Sequence, residues 1–543
     1  MGVLPRYRPS LKAQNVSGQA MTTITTKIMI KIKNMRILLI LLIQFTFCSL
    51  YGQNEITFKE SLKIFATEKI NSEIKKGAVL SATSLTYSYN DGFPILTVIA
   101  KNIDGSSVSF EPKKLSLFEF KDVDNIDKVW DKHLLTDGTY TNLLTKGFQY
   151  ELRNELNNDA IEYINTLSTY DRFFDDEYFE DYLYTLINKI HSGILKDKRP
   201  GNIFIKIIKD PEPNAFALPN GCIIISTGLL STIQSEDELV GILAHEVAHF
   251  ALDHQILNYN KEIDRKKRAE FWATFATVVA ASADVYLTVN NKNHIPGVLT
   301  ASTAIAASVF SDEIINRLGV KYNQAQESEA DNASKEILEV LKYDKLGLSA
   351  ALQRIKNYCI MTGNYLALSG SGSHPSLDTR INLLGQVNNL ETIVQPVFLK
   401  KVSLINSYNA WIELWYFAHH IAANDLANRN ITNGVATESD YIVKAVVKRR
   451  LSNTKESNEE VINLLSKAKT LNVTPYILLN KEEGITYIRL DKKAEAKKSF
   501  QTYLTLLNEL KDRNEIKELK NNNKALEDEI TWTKKMIFKV DNL

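Results

Sequence analysis

Five residues near the middle of the chain, His245-Glu246-Val247-Ala248-His249, constrain the fold more than any other feature. Residues four apart share one face of an α-helix, so both imidazoles reach a single metal ion only if this stretch is helical. The neighbours Leu239, Val240, Ile242, Leu243, Phe250 and Leu252 are apolar, which makes that helix a buried one. A buried helix carrying two histidines and a glutamate must supply partners for them. Neutral imidazole suits Zn²⁺, and a hydrolytic zinc site takes three protein ligands and keeps a fourth position open. The H-E-x-x-H pattern is that of zinc peptidases, with Glu246 placed to act as base beside the ligands His245 and His249. Ser235 followed by Glu238 has the chemistry of a capping box, so the spacing predicts a helix from Ser235 to about His254.

A third ligand is needed, and the segment Glu327-Ser328-Glu329-Ala330-Asp331 offers one on a predicted helix from about Val320 to Leu341. Glu327 and Asp331 are four apart and share a face. That suits Glu327 on the metal and Asp331 holding a ligand histidine through its other N–H. Glu329 falls off that face and reads as a solvated or helix-pairing residue. His254, five residues beyond His249, is turned away from the ligand face if the helix continues, and reads as structural.

The chain has 543 residues, enough for roughly three or four domains. Lys+Arg 65 against Asp+Glu 64 leaves a net charge of +1, which argues against a dedicated nucleic-acid binder. Three cysteines, Cys48, Cys222 and Cys359, are too few for a disulfide framework, and the last two read as buried thiols. No acidic residue precedes Glu55, whereas basic residues up to Arg36 lead into the apolar run Ile37–Ile43 and a small residue, Gly52. This is the pattern of a secretory signal peptide over 1–52, with Met29 or Met35 as the initiator; lipidation at Cys48 and an uncleaved anchor are the rivals. The expected location is therefore exported, periplasmic or secreted.

Residues 53–149 show a helical stretch around Phe58–Lys76, then strand-like runs at Ser84–Ser88, Ile95–Ala100 and Leu115–Phe120 separated by Asn90-Asp91-Gly92 and Asp104-Gly105. They form a small α+β region without a chemical signature. Residues 150–395 hold acidic, aromatic-rich helices, the strand-like runs Ile203–Ile208 and Cys222–Thr227, and the motif helix. Within them, Phe271–Val289 and Ile295–Phe310 are long and apolar, but Asp284 and the abundant Ala, Ser and Thr favour packed helices over membrane spans across 271–310. Residues 396–543 are helical and amphipathic, and Trp411, Trp415, Tyr416 and Phe417 read as core of that tail. Gly484, Tyr487, Ala496 and Phe500 stand at the relative spacings of a tetratricopeptide repeat. The fold class is thus α+β and mainly α: a zincin-like domain with a small sheet, followed by a helical, repeat-like tail.

Beyond the zinc motif, Asn214-Ala215-Phe216-Ala217-Leu218-Pro219, Ser226-Thr227-Gly228-Leu229-Leu230, Glu236-Asp237-Glu238-Leu239, Glu327 to Asp331 and Ser373-His374-Pro375 with Arg380 make the region 150–390 resemble the family-48 zinc metallopeptidases, the HtpX-like and CAAX-prenyl-protease-like group of gluzincins. The layout of leader, peptidase and repeat-like tail is most similar to the periplasmic BepA-type members, from which the long 53–149 region departs. The resemblance implies a zinc endopeptidase with one Zn²⁺ per chain that acts on polypeptides, in quality control of envelope or exported proteins. His374 and Arg380 are then candidates to stabilise the oxyanion, and His374 is also a candidate to block the open metal position in a latent state. Asn214, Ala215, Phe216 and Ala217 make an edge on which a substrate can lie as an added strand. An envelope protein partner bound through the tail is a further expectation. The competing function is a chaperone or assembly scaffold with latent or minor proteolysis; a membrane-embedded prenyl-type protease is a weaker third.

Overall fold

The computed structural model describes residues 54–145, 148–191, 203–257, 265–287, 312–364, 376–471, 476–512 and 522–542. The expected signal peptide (1–52), His374 and residues 288–311 lie outside the described residues. The chain is mostly helical with small sheets, an α+β architecture.

Five antiparallel strands open the described chain: β1 (Asn54–Ala66), β2 (Val79–Asn90), β3 (Phe93–Asn102), β4 (Ser107–Phe110) and β5 (Phe118–Lys121), in the order β4-β3-β2-β1-β5. The helix expected around Phe58–Lys76 is instead β1 and an irregular return. Phe58 and Leu62, four apart, imitate a helix because the register shifts between Thr57 and Leu62. Beyond that irregularity Leu62, Ile64 and Ala66 are buried at a strand's period of two, with Leu62 and Ile64 paired to β2 and Ile64 and Ala66 paired to β5. The Asp91-Gly92 turn has positive φ at both residues (49° and 84°), as a two-residue hairpin matched to the strand twist requires.

The helix Ile126–Thr136, capped by Asn125, joins this sheet to the rest of the molecule. Its Trp130 indole donates to the Ile190 carbonyl (2.8 Å) and Lys132 pairs with Glu336 (2.6 Å). His133 is buried between Asp137 (3.3 Å) and Glu336 (3.4 Å). Burial lowers the pKa of its imidazole, but the two carboxylates outweigh this and raise it above the ordinary 6.5. Glu336 is lifted by burial yet held down at about 2 by His133 and Lys132. The raised histidine contributes stability that is complete below its unfolded value and lost as pH rises through its folded one. The depressed carboxylate contributes stability that is present above 4.5 and lost as pH falls through about 2. A His133→Asn chain is therefore expected to lose the most thermal stability, relative to the parent, between about pH 5 and 6.5, with the gap closing toward pH 9. Melting curves of both chains across that range check this; a gap that widens with pH would contradict it.

The second sheet sits beneath the motif helix. β6 (Phe204–Ile208) runs parallel to β8 (Cys222–Ser226), and β7 (Ala215–Ala217) is the antiparallel edge strand on the other side of β8. Every residue of β8 is buried, because Ile223 and Ile225 face the main core while Cys222 and Ile224 face a second one. That second core contains Tyr163, Phe216, Trp272, Phe275 and Val279. Its Trp272, Phe275 and Val279 belong to the helix Arg265–Leu287, so the described start of the 271–310 region is packed into the protein. Among the described residues, no helix is long and apolar enough to cross a membrane.

The motif helix spans Glu236–Ala251, with the Ser235 hydroxyl accepting from the Glu238 amide (3.2 Å). The Glu238 carboxylate reaches the Gln234 amide (2.7 Å), one residue outside the expected box, and pairs with Arg354 (2.7 Å). Two glycines set how close the helix Gly347–Thr362 approaches. A Cβ on Gly241 would lie 2.7 Å from the Leu348 nitrogen, and one on Gly347 would lie 2.4 Å from the Asp237 carbonyl oxygen. The helix Gln324–Val340, with an Asn323 capping box, is tied to the motif helix by Ser334 Oγ donating to the Gly241 carbonyl (2.7 Å).

From Pro396 to Asn542 the described elements are helices, each packed on the next. Asn409 anchors them to the second sheet's short following helix, Thr227–Thr232, through Thr227 (2.9 Å) and Ser231 (2.8 Å). Trp411 is fully buried, and the Phe500 ring packs where a Cβ on Gly484 would come within 2.7 Å. Cys222 and Cys359 are free and buried.

Candidate metal centre

The motif helix and the helix Gln324–Val340 bring His245, His249 and Glu327 together. The two Nε2 atoms are 3.0 Å apart, and the Glu327 oxygens lie 3.5 Å from His245 Nε2 and 3.6 Å from His249 Nε2. Ligand atoms of all three lie within 4.8 Å of one another, and all three side chains are buried. Two imidazole nitrogens and one carboxylate oxygen converging in a dry site are the donor set of a hydrolytic zinc centre, so these residues fit the ion.

The site is built to hold charge. Asp331 lies one turn beyond Glu327 and meets His245 Nδ1 (2.9 Å). Arg380, on the helix Leu377–Leu384, donates to Asp331 through Nη2 (2.7 Å) and Nε (3.1 Å), and its Nη1 lies 3.2 Å from Glu327. In the metal-free chain burial and Arg380 press the His245 pKa down, yet the Asp331 and Glu327 carboxylates prevail and hold it at about 9. Burial would raise the Asp331 carboxyl, but Arg380 and His245 leave it below the usual aspartate value. Glu246 is buried beside this group, and its charge is felt by both Arg380 and Tyr322. The Tyr322 ring stacks on His249, with centroids 3.6 Å apart and planes 8° from parallel.

Asn214 precedes the edge strand that holds Ala215, Phe216 and Ala217. The strand is tied to the segment that follows the motif helix, where the Gln255 amide donates to the Ala217 carbonyl (3.0 Å) and to the Tyr322 hydroxyl (3.2 Å).

His254 departs from expectation. The motif helix ends at Ala251, and Asp253 takes a left-handed φ of 64°, so helical angles do not extend to His254. The turn swings its ring back to His249, with 2.8 Å between the two Nδ1 atoms. Glu329, expected to be a bystander, meets the other His254 nitrogen (3.1 Å). The signal that could have found them is Asp253, since aspartate is one of the few residues that adopts left-handed backbone readily and so marks a helix stop.

Two imidazoles, a carboxylate and an adjacent buried glutamate on this α+β frame make up a candidate metal centre. Residues 185–387 match Peptidase family M48, and the chain carries a domain of that metal-dependent peptidase family. Over 150 residues it is 26% identical to the metalloprotease YcaL of Escherichia coli, covering 28% of this chain and 50% of that protein. Over 173 residues it is 24% identical to the metalloprotease LoiP of the same organism, covering 32% and 58%. A putative beta-barrel assembly-enhancing protease of Vibrio cholerae is 24% identical over 169 residues, 31% of each chain. The chain thus spans about half the length of the first two relatives.

Proposed function

We propose that this chain is a zinc-dependent endopeptidase holding one Zn²⁺ on His245, His249 and Glu327. The observation that carries the reading is the convergence of these three side chains, with the Asp331 carboxylate behind His245. Zinc bound there supplies Lewis-acid activation of water and of the scissile carbonyl. Glu246 takes the proton of the attacking water and delivers it to the leaving amine. Asp331 fixes the ring of His245, so that Nε2 faces the metal. Arg380, buried and bonded to Asp331 and Glu327, balances their charge and stands near enough to His245 (3.3 Å) to stabilise an oxyanion at the same centre. From the resemblance alone, His374 is assigned as a second oxyanion donor or as the group that closes the open position.

The substrate is an unfolded stretch of polypeptide that lies along β7, at Asn214–Ala217. The helices from Pro396 onward are read as a tetratricopeptide-like array, in support of which the Gly484–Phe500 contact falls where the repeat spacing puts it. That array receives an envelope protein partner. An exported location and a role in envelope protein quality control are part of this reading, supported by the likeness to the relative named for beta-barrel assembly.

Digestion of unfolded casein by the full chain tests the activity. The chain should contain about one zinc ion, lose cleavage on treatment with a strong chelator and regain it on zinc addition. Cleavage that persists in the chelator-stripped chain would overturn the reading.

A further inference from the structure

Asp331 stands behind the proposed ligand His245, and a second histidine stands behind the proposed ligand His249. The Nδ1 atom of His249 faces His254 Nδ1 at 2.8 Å, and His254 Nε2 faces the Glu329 carboxylate at 3.1 Å. The protons in this chain of contacts have one consistent arrangement once His249 Nε2 is given to the metal. His249 then carries its proton on Nδ1 and donates it to His254 Nδ1, which must be unprotonated. His254 in turn carries its proton on Nε2 and donates it to Glu329, which accepts as a carboxylate. Each donor meets an acceptor, and each ring is held in one tautomer.

The surrounding backbone is built to keep His254 there. Asp253, in its left-handed conformation, is gripped through both carboxylate oxygens by Arg153 from the helix Phe148–Thr169. The Gln326 amide donates to the His254 carbonyl (3.3 Å), and Gln255 ties the next residue to the edge strand. His254 itself is 1% exposed, whereas the Glu329 side chain is 39% exposed. Tyr322, stacked against the His249 ring, limits its tilt.

We infer that His254 and Glu329 are positioning residues: a histidine–carboxylate relay that fixes the tautomer and direction of His249, as Asp331 does for His245. One helix, Gln324–Val340, then supplies the proposed carboxylate ligand and the outer carboxylate for both imidazoles. The inference rests on the zinc reading above and adds to it two residues that neither touch the metal nor the substrate.

The test is the zinc dissociation constant of the full-length chain, measured by competition with a chromophoric chelator, beside the melting temperature of the metal-free chain. His254→Phe removes the acceptor for His249 and is expected to weaken zinc binding about 10–100-fold. Glu329→Ala should weaken it in the same direction. Glu329→Gln should recover much of the loss, since an amide oxygen still accepts from His254 Nε2. The metal-free melting temperatures of the two Glu329 variants should agree with the parent's, and the visible spectrum of the cobalt-loaded Glu329→Ala chain should change. A purely structural role would not produce that split between alanine and glutamine. If His254→Phe does not fold, the exposed Glu329 decides: zinc binding within twofold of the parent in Glu329→Ala overturns the relay. A parent chain that binds no zinc at all overturns the metal reading itself, which separates the two failures.

Discussion

A Glu246→Gln chain is expected to keep its zinc and to cleave peptides about 10²–10⁴-fold more slowly than the parent. The substitution changes no volume to speak of, and Glu246 is not one of the three converging ligand groups, so the metal site should survive it. What disappears is the capacity to take a proton, which an amide lacks at any accessible pH. Among the described residues, Tyr322 and Arg380 beside it cannot substitute as the base. Burial first, and then the charges of Glu246 and Glu327, push the Tyr322 hydroxyl far up, so it stays protonated. Arg380 is a cation held by two carboxylates, and its pKa is raised further by them. The measurement pairs turnover of a fluorogenic peptide with zinc content on the same sample. Loss of activity below tenfold with zinc in place would remove Glu246 from the role of base. A Glu246→Gln chain that cleaves nothing, yet sustains the biological activity of the parent, would instead establish the scaffold function and demote proteolysis.

The residues that converge at the candidate metal centre were legible because they follow helical geometry. His245 and His249 are four apart within one helix, and Glu327 and Asp331 are four apart within another, so each pair keeps its face once the helices form. The partner helix, expected from about Val320 to Leu341, spans Gln324–Val340. What escaped the sequence lies where regular geometry stops. His254 was assigned by carrying 100° per residue past the end of the helix, but the chain leaves the helix at Ala251 and turns at Asp253. Glu329 could not be recognised because its partner comes from that turn, 75 residues away. β1 escaped for a related reason: an irregular register put Phe58 and Leu62 at a helical interval, and the pairing with β2 and β5 that decides the matter is non-local. In the tail the spacing of Gly484 and Phe500 was visible, but that the Phe500 ring packs where a Cβ on Gly484 would come within 2.7 Å is visible only in the packed helices.

Glu327→Gln is the substitution expected to damage the centre most without unfolding it. Outer partners of metal ligands are worth about 10–100-fold in affinity, and a ligand carboxylate should be worth more, so zinc binding is expected to fall by well over ~100-fold and cleavage with it. Charge explains why the amide does not substitute. Two neutral imidazoles and one carboxylate offset half of the Zn²⁺ charge, and glutamine offsets none. The same change leaves Arg380 with Asp331 as its remaining carboxylate in the pair of bonds Nε and Nη2 already make. Because those two bonds persist, the metal-free chain should stay folded. Proton release gives an independent readout. Burial and Arg380 lower His245, but Asp331 and Glu327 together hold it at about 9, so at neutral pH the metal-free imidazole is protonated and zinc must displace that proton. For the parent, zinc affinity should therefore climb as pH rises toward about 9, and calorimetry in buffers of different ionisation heat should register the released proton. With Glu327 neutralised, one of the two groups that raise His245 is gone, its pKa falls, and fewer protons should leave on metal binding at pH 7. A Glu327→Gln chain that binds zinc as tightly as the parent and releases as many protons would place the third ligand elsewhere.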